Sequence, residues 1–497
     1  MKNITLRYIS MLLAMAFVSL TALDSCKDKD DDDTIETYST STQTTLVKAF
    51  GLQADADVLA SLDSVYFTVD YDNGLIYNAD SLPVGTDISA LKVKIDFFNT
   101  VNSAILNISG ATVQSDTAIS YTSSMSTALD FTGKTVLTVT SYDKTQVKDY
   151  QIMVLVHKEN PDSLKWNHSW RRDLPGLTSR TKAFKVVQQG DLYRAMSFDG
   201  NACYLMTTDN LNASWTSAQA DVPFEPQMSS LTATADALYM LDNAGGLWTS
   251  ADGLQWTACG VTWHSILGAY GTRVLGIVAD GTAYLHDEYP RSEGFAPTAV
   301  EDGFPVAHAS DMIVTDNKWA VAQQAIIVGG IDAQGHVLSD VWGYDGLNWG
   351  KINNSHSNVL PALVDATLFP YYTYKTLPGV RRYARQETWY VMGGKLADGS
   401  LNGKIYLSNT QGITWTAGDS TISQASFMPR FYGAQAIVSN ETFSLSGAAG
   451  APRRVQTVVT SWDCPFIYLF GGYNDRGELL PSVWRGVYNR LTNTPVY

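Results

Sequence analysis

Chemistry-bearing spacings are what this chain has least of. Its seven histidines are scattered, with no H-x-H or H-E-x-x-H pair, so a metal centre is poorly supported and no cofactor is expected. There is no G-x-S-x-G, P-loop or Rossmann glycine pattern, the signatures of hydrolase, nucleotide and dinucleotide chemistry. Positive charge is short as well: Lys+Arg 34 against Asp+Glu 49 leave a formal charge of -15, which disfavours nucleic acid and anionic lipid surfaces as partners. Cysteines number only 4, and Cys203, Cys259 and Cys464 cannot all pair. Each lies in an apolar or aromatic setting, so they are expected as buried small hydrophobes and not as a redox site.

What is present starts with an export signal. Lys2 and Arg7 precede an apolar run from Ile9 to Leu23, too short for a comfortable permanent span but suited to a signal-peptide core. The run ends in Leu23-Asp24-Ser25-Cys26, which resembles the bacterial lipobox, Asp24 being an unusual member of it. The resemblance implies a signal peptide over 1–25 and a diacylglycerol-bearing Cys26 that ties the chain to a membrane. After it comes Lys27-Asp28-Lys29-Asp30-Asp31-Asp32-Asp33, the acidic start of a tether over 26–43 that cannot fold by itself. Similar acidic runs in lipoproteins of Bacteroidota mark transport to the outer face, which implies an outer-membrane protein facing the exterior.

From 44 to 160 the apolar, β-branched and aromatic residues form strand-length segments, such as Val65–Val69, Val136–Thr140 and Tyr150–Val156, and no useful helical period occurs. Asn73-Gly74, Val84-Gly85 and Thr132-Gly133 supply turns, which predicts a small antiparallel sandwich. Val139–Thr145 followed by Asp149–Val154 resembles the closing hairpin of bacterial Ig-like or cadherin-like modules, and that resemblance implies a spacer.

The remainder, 161–497, is repetitive. Three segments align without a gap: Ile326 to Gly329-Gly330 and on to Trp342, Tyr390 to Gly393-Gly394 and on to Tyr406, Tyr468 to Gly471-Gly472 and on to Trp484. A further glycine follows each pair, at Gly335, Gly399 and Gly477. This resembles the kelch repeat of β-propellers. Pro305–Ala309, Val380–Ala384 and Pro429–Gly433 are placed like first blade strands, with His308, Tyr383 and Tyr432 as their anchors, and Trp349 and Trp415 open outer strands. Ser250–Trp256, containing Asp252, is similar to the Asp-box of sialidase-like propellers, and Ser408–Trp415 is the same box with Thr410 replacing Asp. The resemblance implies a six-bladed propeller, with seven blades as the alternative, closed by a strand from 165–170. The whole is thus read as all-β: an Ig-like sandwich followed by a kelch-like propeller, an arrangement that resembles a family of Bacteroidota lipoproteins.

Function is less determined. Arg381, Arg382, Arg385, Arg430, Arg453 and Arg454 are available for a sialidase-like carboxylate clamp, but no arginine motif of that family opens the propeller. Asp340 and Asp345 are the acids available for glycosidase work. The leading expectation is a surface protein that binds a glycan or protein ligand without catalysis, with Arg381, Arg382, Arg430 and Tyr432 facing the ligand. The alternatives are a sialidase-like or galactose-oxidase-like enzyme, and a structural subunit of an envelope complex.

Overall fold

The computed structural model describes residues 42–78, 80–158, 160, 162–317, 321–353, 359–376, 383–444 and 461–490. Cys26, the acidic run, Arg381, Arg382, Arg453 and Arg454 lie outside them. Two compact units divide the chain, Met1–Lys158 and Glu159–Tyr497.

In the first unit a six-stranded sheet and a two-stranded sheet, Val47–Leu52 with Val93–Phe97, share one core. Strand Lys134–Ser141 shows why: every second residue, Thr135, Leu137, Val139 and Ser141, is buried, so one face of the pleat turns inward. The arrangement is not purely antiparallel. Strand Leu75–Asn78 runs parallel to Val147–Met153, and beyond their ends the buried Asn78 side chain donates to the Asp80 and Leu155 carbonyls and accepts from the Leu155 N–H, tying the two segments side by side.

The second unit is a β-propeller whose described residues form six sheets of four or five strands, together with a two-stranded sheet of Leu363–Val364 and Lys395–Leu396. The innermost strands of the six, taken in order as sheets I to VI, are Ala183–Gln189, Pro226–Ala233, Ser265–Tyr270, Ile313–Asp316, Thr367–Thr376 and Gln435–Ser444. Sheet VI joins the two ends of the unit, since Asp162–Trp166 and Arg172–Asp173 pair with Ser482–Arg490. The joining strands are therefore Asp162–Trp166 and Arg172–Asp173, not the whole of 165–170. His168–Trp170 forms a 3-10 turn instead, capped by the Asn167 side chain, which accepts from the Trp170 N–H at 3.2 Å.

The apolar core sits between neighbouring sheets. Trp389, fully buried on sheet V, packs with Ile326, Val328 and Val341 of sheet IV and with Trp415. Trp349 reaches the preceding sheet, its ring 6.0 Å from His286 and 5.1 Å from Phe304. Two hairpins use the same turn chemistry. The Ser250 hydroxyl accepts from Gly253, the Asp252 carboxylate from Leu254, and the Trp256 indole donates to the Gly253 carbonyl. In the other hairpin Ser408, Thr410 and Trp415 repeat these bonds, with the Thr410 hydroxyl doing the carboxylate's work by accepting from Thr414 at 2.9 Å.

Each glycine pair joins two sheets. All six glycines, Gly329, Gly330, Gly393, Gly394, Gly471 and Gly472, have positive φ. The second glycine lies against the chain leading into its own sheet: a Cβ on Gly330 would stand 3.0 Å from the Ala309 nitrogen, one on Gly394 3.1 Å from the Ala366 Cα, one on Gly472 2.9 Å from the Ala434 Cβ. The first glycine faces the next sheet, where a Cβ on Gly329 would stand 2.3 Å from the Leu363 oxygen. Positive φ alone would favour glycine; at five of the six the close approach demands it, while an added Cβ on Gly471 would make only an ordinary 3.5 Å contact with Leu174.

Gly335 separates the two effects, because it has φ +85 but nothing within 4 Å of an added Cβ. Gly335→Ala should cost about 1–2 kcal/mol, the left-handed penalty alone. Gly329→Ala should cost more than about 3 kcal/mol or abolish folding, since backbone must move. Equal losses for the two in denaturant titrations would contradict the close-approach account.

Candidate functional site

Each innermost strand ends its sheet and so presents an unpaired backbone edge inward. Together these edges surround a channel of about 430 Å³, lined by residues of all six. At one mouth it meets a basin of about 380 Å³ that adds Tyr432, Gly433, Tyr473 and Gly477. Lys185, Ser229, His308, Ala309, Asp311, Asp365 and Gln435 line both cavities and form the neck between them.

One side of the neck is built by sheets IV, V and VI in one register. Just before each inner strand a residue pairs with the hairpin after the glycine pair: Ala307 with Ile331, Val364 with Lys395, Tyr432 with Tyr473. The next residue is left-handed in every case, His308 at φ 58, Asp365 at φ 49 and Gly433 at φ 65. These three are joined in series. The Asp365 N–H donates to the His308 carbonyl at 2.9 Å, and the Gly433 N–H to the Asp365 carbonyl at 2.8 Å. Left-handed histidine and aspartate are sterically costly, and such backbone gathers at functional sites.

The side chains so placed converge. His308 Nδ1 lies 3.0 Å and 3.1 Å from the two Asp365 carboxylate oxygens. Across the neck the buried Lys185 ammonium donates to Asp311 at 2.6 Å and to the Ser229 carbonyl at 2.7 Å. Lys395 stands 3.6 Å from the centre of the Tyr432 ring, a cation–π contact. The Tyr432 and Tyr473 rings are 5.6 Å apart at 35°. The Gln435 amide donates to the Gly433 carbonyl at 2.7 Å. The hydrogen bond to Asp365 holds the His308 pKa above the ordinary range against burial and Lys395. Burial, then the nearby His308, pushes His264 in the channel the other way. Burial raises the Tyr473 phenol.

Of the residues expected to face a ligand, Tyr432 stands in the basin. Arg430 does not line either cavity; it is exposed, lies beside Gly403 and donates to the Leu401 carbonyl at 3.4 Å. Arg381 and Arg382 fall outside the described residues. Among the described residues no arginine lines the channel or the basin. The acids Asp340 and Asp345 are engaged separately, Asp340 with Lys351 at 2.7 Å and Asp345 in a turn, accepting from Leu347 and Asn348. Of Val380–Ala384, residues 380–382 lie outside the described residues, and Tyr383 does not begin a blade: it opens the second strand of sheet V, paired with Thr376. The first strand is Thr367–Thr376, and the hairpin it forms with Tyr383–Met392, ten residues in each strand, places the true counterpart of His308 at Asp365. A sequence signal for this existed in His308-Ala309-Ser310, Asp365-Ala366-Thr367 and Gly433-Ala434-Gln435, where alanine follows each left-handed residue. Lys185, Asp311, Lys395 and Tyr473 carry no such local mark.

The His308–Asp365 pair gives a pH signature. Because the folded pKa of His308 is raised, its stabilisation is full below the ordinary value near 6.5 and fades as pH rises through the raised value. The thermal midpoint of the wild type should exceed that of His308→Gln most at about pH 5.5 and least at about pH 8.5. The difference should be about 1 kcal/mol or less, since the histidine is 55% exposed. A gap that is constant with pH would contradict the pairing.

No curated protein matches the chain. Among solved structures, YCF48 from Cyanidioschyzon merolae is 11% identical with a TM-score of 0.32, over 79% of this chain and 98% of that one. The YjhT structure is 11% identical with a TM-score of 0.28, over 63% and 96%. A Trypanosoma rangeli sialidase in complex with 2,3-difluorosialic acid is 10% identical with a TM-score of 0.34, over 65% and 58%. These likenesses assign no ligand and no activity. Family models are more direct: the DUF6242 N-terminal domain, a domain of unknown function, matches residues 34–154, and the DUF6242 beta propeller domain matches residues 160–496. The chain belongs to the DUF6242 family.

Proposed function

We propose that this protein is an outer-membrane lipoprotein, anchored through Cys26 and facing the cell exterior, whose propeller captures an extracellular glycan or protein segment without transforming it. The six sheets are read as six blades and the first unit as an Ig-like spacer. The observation that carries the binding site is the neck. There a buried lysine, two carboxylates, a histidine, an amide and a tyrosine pair converge on a concavity of ligand size. The lipobox-like segment and the acidic run support the anchor and its orientation.

Three measurements test the reading. Cys26→Ser should move the protein from the membrane fraction to the soluble fraction, and protease added to intact cells should cut the wild type. Retention of the variant in the membrane, or full protection of the wild type, would remove the anchor or the orientation. For the propeller, Tyr432→Ala should weaken capture of whatever partner the purified protein binds by about tenfold, the usual scale for an aromatic in a binding centre. Capture indifferent to Tyr432→Ala and Asp365→Asn would remove the mouth from the binding account.

A further inference from the structure

Gln435 carries an unmet hydrogen-bonding demand at the neck. Its side chain belongs to a residue 9% exposed, and its Oε1 is buried with no donor among the described residues. The opposite amide orientation would set oxygen against the Gly433 carbonyl, so the assignment is fixed by the 2.7 Å bond that the nitrogen makes. A buried acceptor left unpaired is destabilising, and Gln435 lines both cavities, so a ligand donor that draws the amide toward either one can satisfy it.

The surrounding charges select the donor. The cations are already engaged: Lys185 with Asp311 and Ser229, Lys395 on the Tyr432 ring, His308 with Asp365. The carboxylates retain free acceptor capacity, Asp311 being 50% exposed and Asp365 26%. An anion would meet two carboxylates and no free cation among the described lining residues. A neutral molecule rich in hydroxyl donors matches every open group. The basin also suits a ring: the missing side chains of Gly433 and Gly477 keep it open beside the tyrosines, since Cβ atoms there would lie 3.5 Å from Tyr473 Cδ2 and 3.6 Å from the Tyr432 hydroxyl.

Resting on the reading of the mouth as the binding site, we infer that its ligand is a neutral saccharide, one ring of which packs its C–H face against Tyr432 and Tyr473 while hydroxyl groups donate to Gln435 Oε1 and Asp365. Tyrosine supplies the apolar face and the amide and carboxylates fix orientation, the division of labour usual in small-ligand sites.

The test is calorimetric titration of the full mature chain with neutral oligosaccharides (maltotriose, cellotriose, mannotriose, N-acetyllactosamine) and acidic ones (3′-sialyllactose, trigalacturonate). At least one neutral saccharide should bind. Gln435→Met and Tyr473→Ala should each weaken it about tenfold, and Arg430→Ala should leave it unchanged. Should Tyr473→Ala fail to fold, Tyr432→Leu reads out the same platform. Preference for acidic saccharides overturns the inference, as does binding of no saccharide at all. Capture of a protein that Tyr432→Ala abolishes would overturn the saccharide inference alone, leaving the mouth as the site. Saccharide binding untouched by every neck variant would overturn both.

Discussion

The series of hydrogen bonds from Gly433 to Asp365 to His308 is the constraint on which the mouth depends. Each bond takes the N–H of one left-handed residue to the carbonyl of the left-handed residue in the preceding sheet. The spacing between sheets IV, V and VI is thereby fixed by backbone, and side chains branching from these positions acquire fixed places around the neck. A left-handed non-glycine residue costs about 1–2 kcal/mol, and two are held here. The surrounding packing must over-determine them, and the glycine pairs do this by bringing each hairpin onto the segment that carries the left-handed residue. Alanine at 309, 366 and 434 leaves room for that approach.

The fold and the site therefore draw on different parts of the same sheets. Stability lies between sheets, in side chains such as Trp389, Phe369 and Phe470 that are nearly inaccessible. The channel is left to strand edges and to a few polar groups at its end, where Lys185 of sheet I meets Asp311 on the way into sheet IV. That pair joins residues 126 positions apart and spans the neck. The hydrogen-bond series comes from one side of the ring and the lysine from the other. Substitution at the neck can thus alter binding while the inter-sheet core persists.

Much of the fold was legible in the sequence because its signals are local. A glycine pair after an apolar run, a third glycine five or six residues later and an aromatic beyond mark a strand, a hairpin and the returning strand, and all three hairpins lie at those positions. The Ser250 and Ser408 hairpins could be read because their bonds close within seven or eight residues. The site was mostly not legible. Tyr432 was found because it stands beside a glycine, although the hairpin that follows it, Gln435–Ser444 with Ser461–Phe470, is as long as that of sheet V. Asp365 was hidden by the long hairpin of Thr367–Thr376 and Tyr383–Met392, which shifted the apparent start of the repeat to Val380. Arg430 drew attention by its charge, yet its carbonyl partner and its exposure place it on the flank. Lys185 and Asp311 meet only through closure of the ring, which no local pattern encodes.

The central claim, that ligands are captured at this neck, is tested most directly by amide hydrogen exchange on the full mature chain with and without its bound ligand. The account predicts slowed exchange confined to 305–311, 363–367, 431–436 and the 473–478 hairpin, with the Asp365 and Gly433 amides among the most protected. Protection confined to the first unit, or to the far ends of the inner strands around Thr315 and Tyr372, would contradict it.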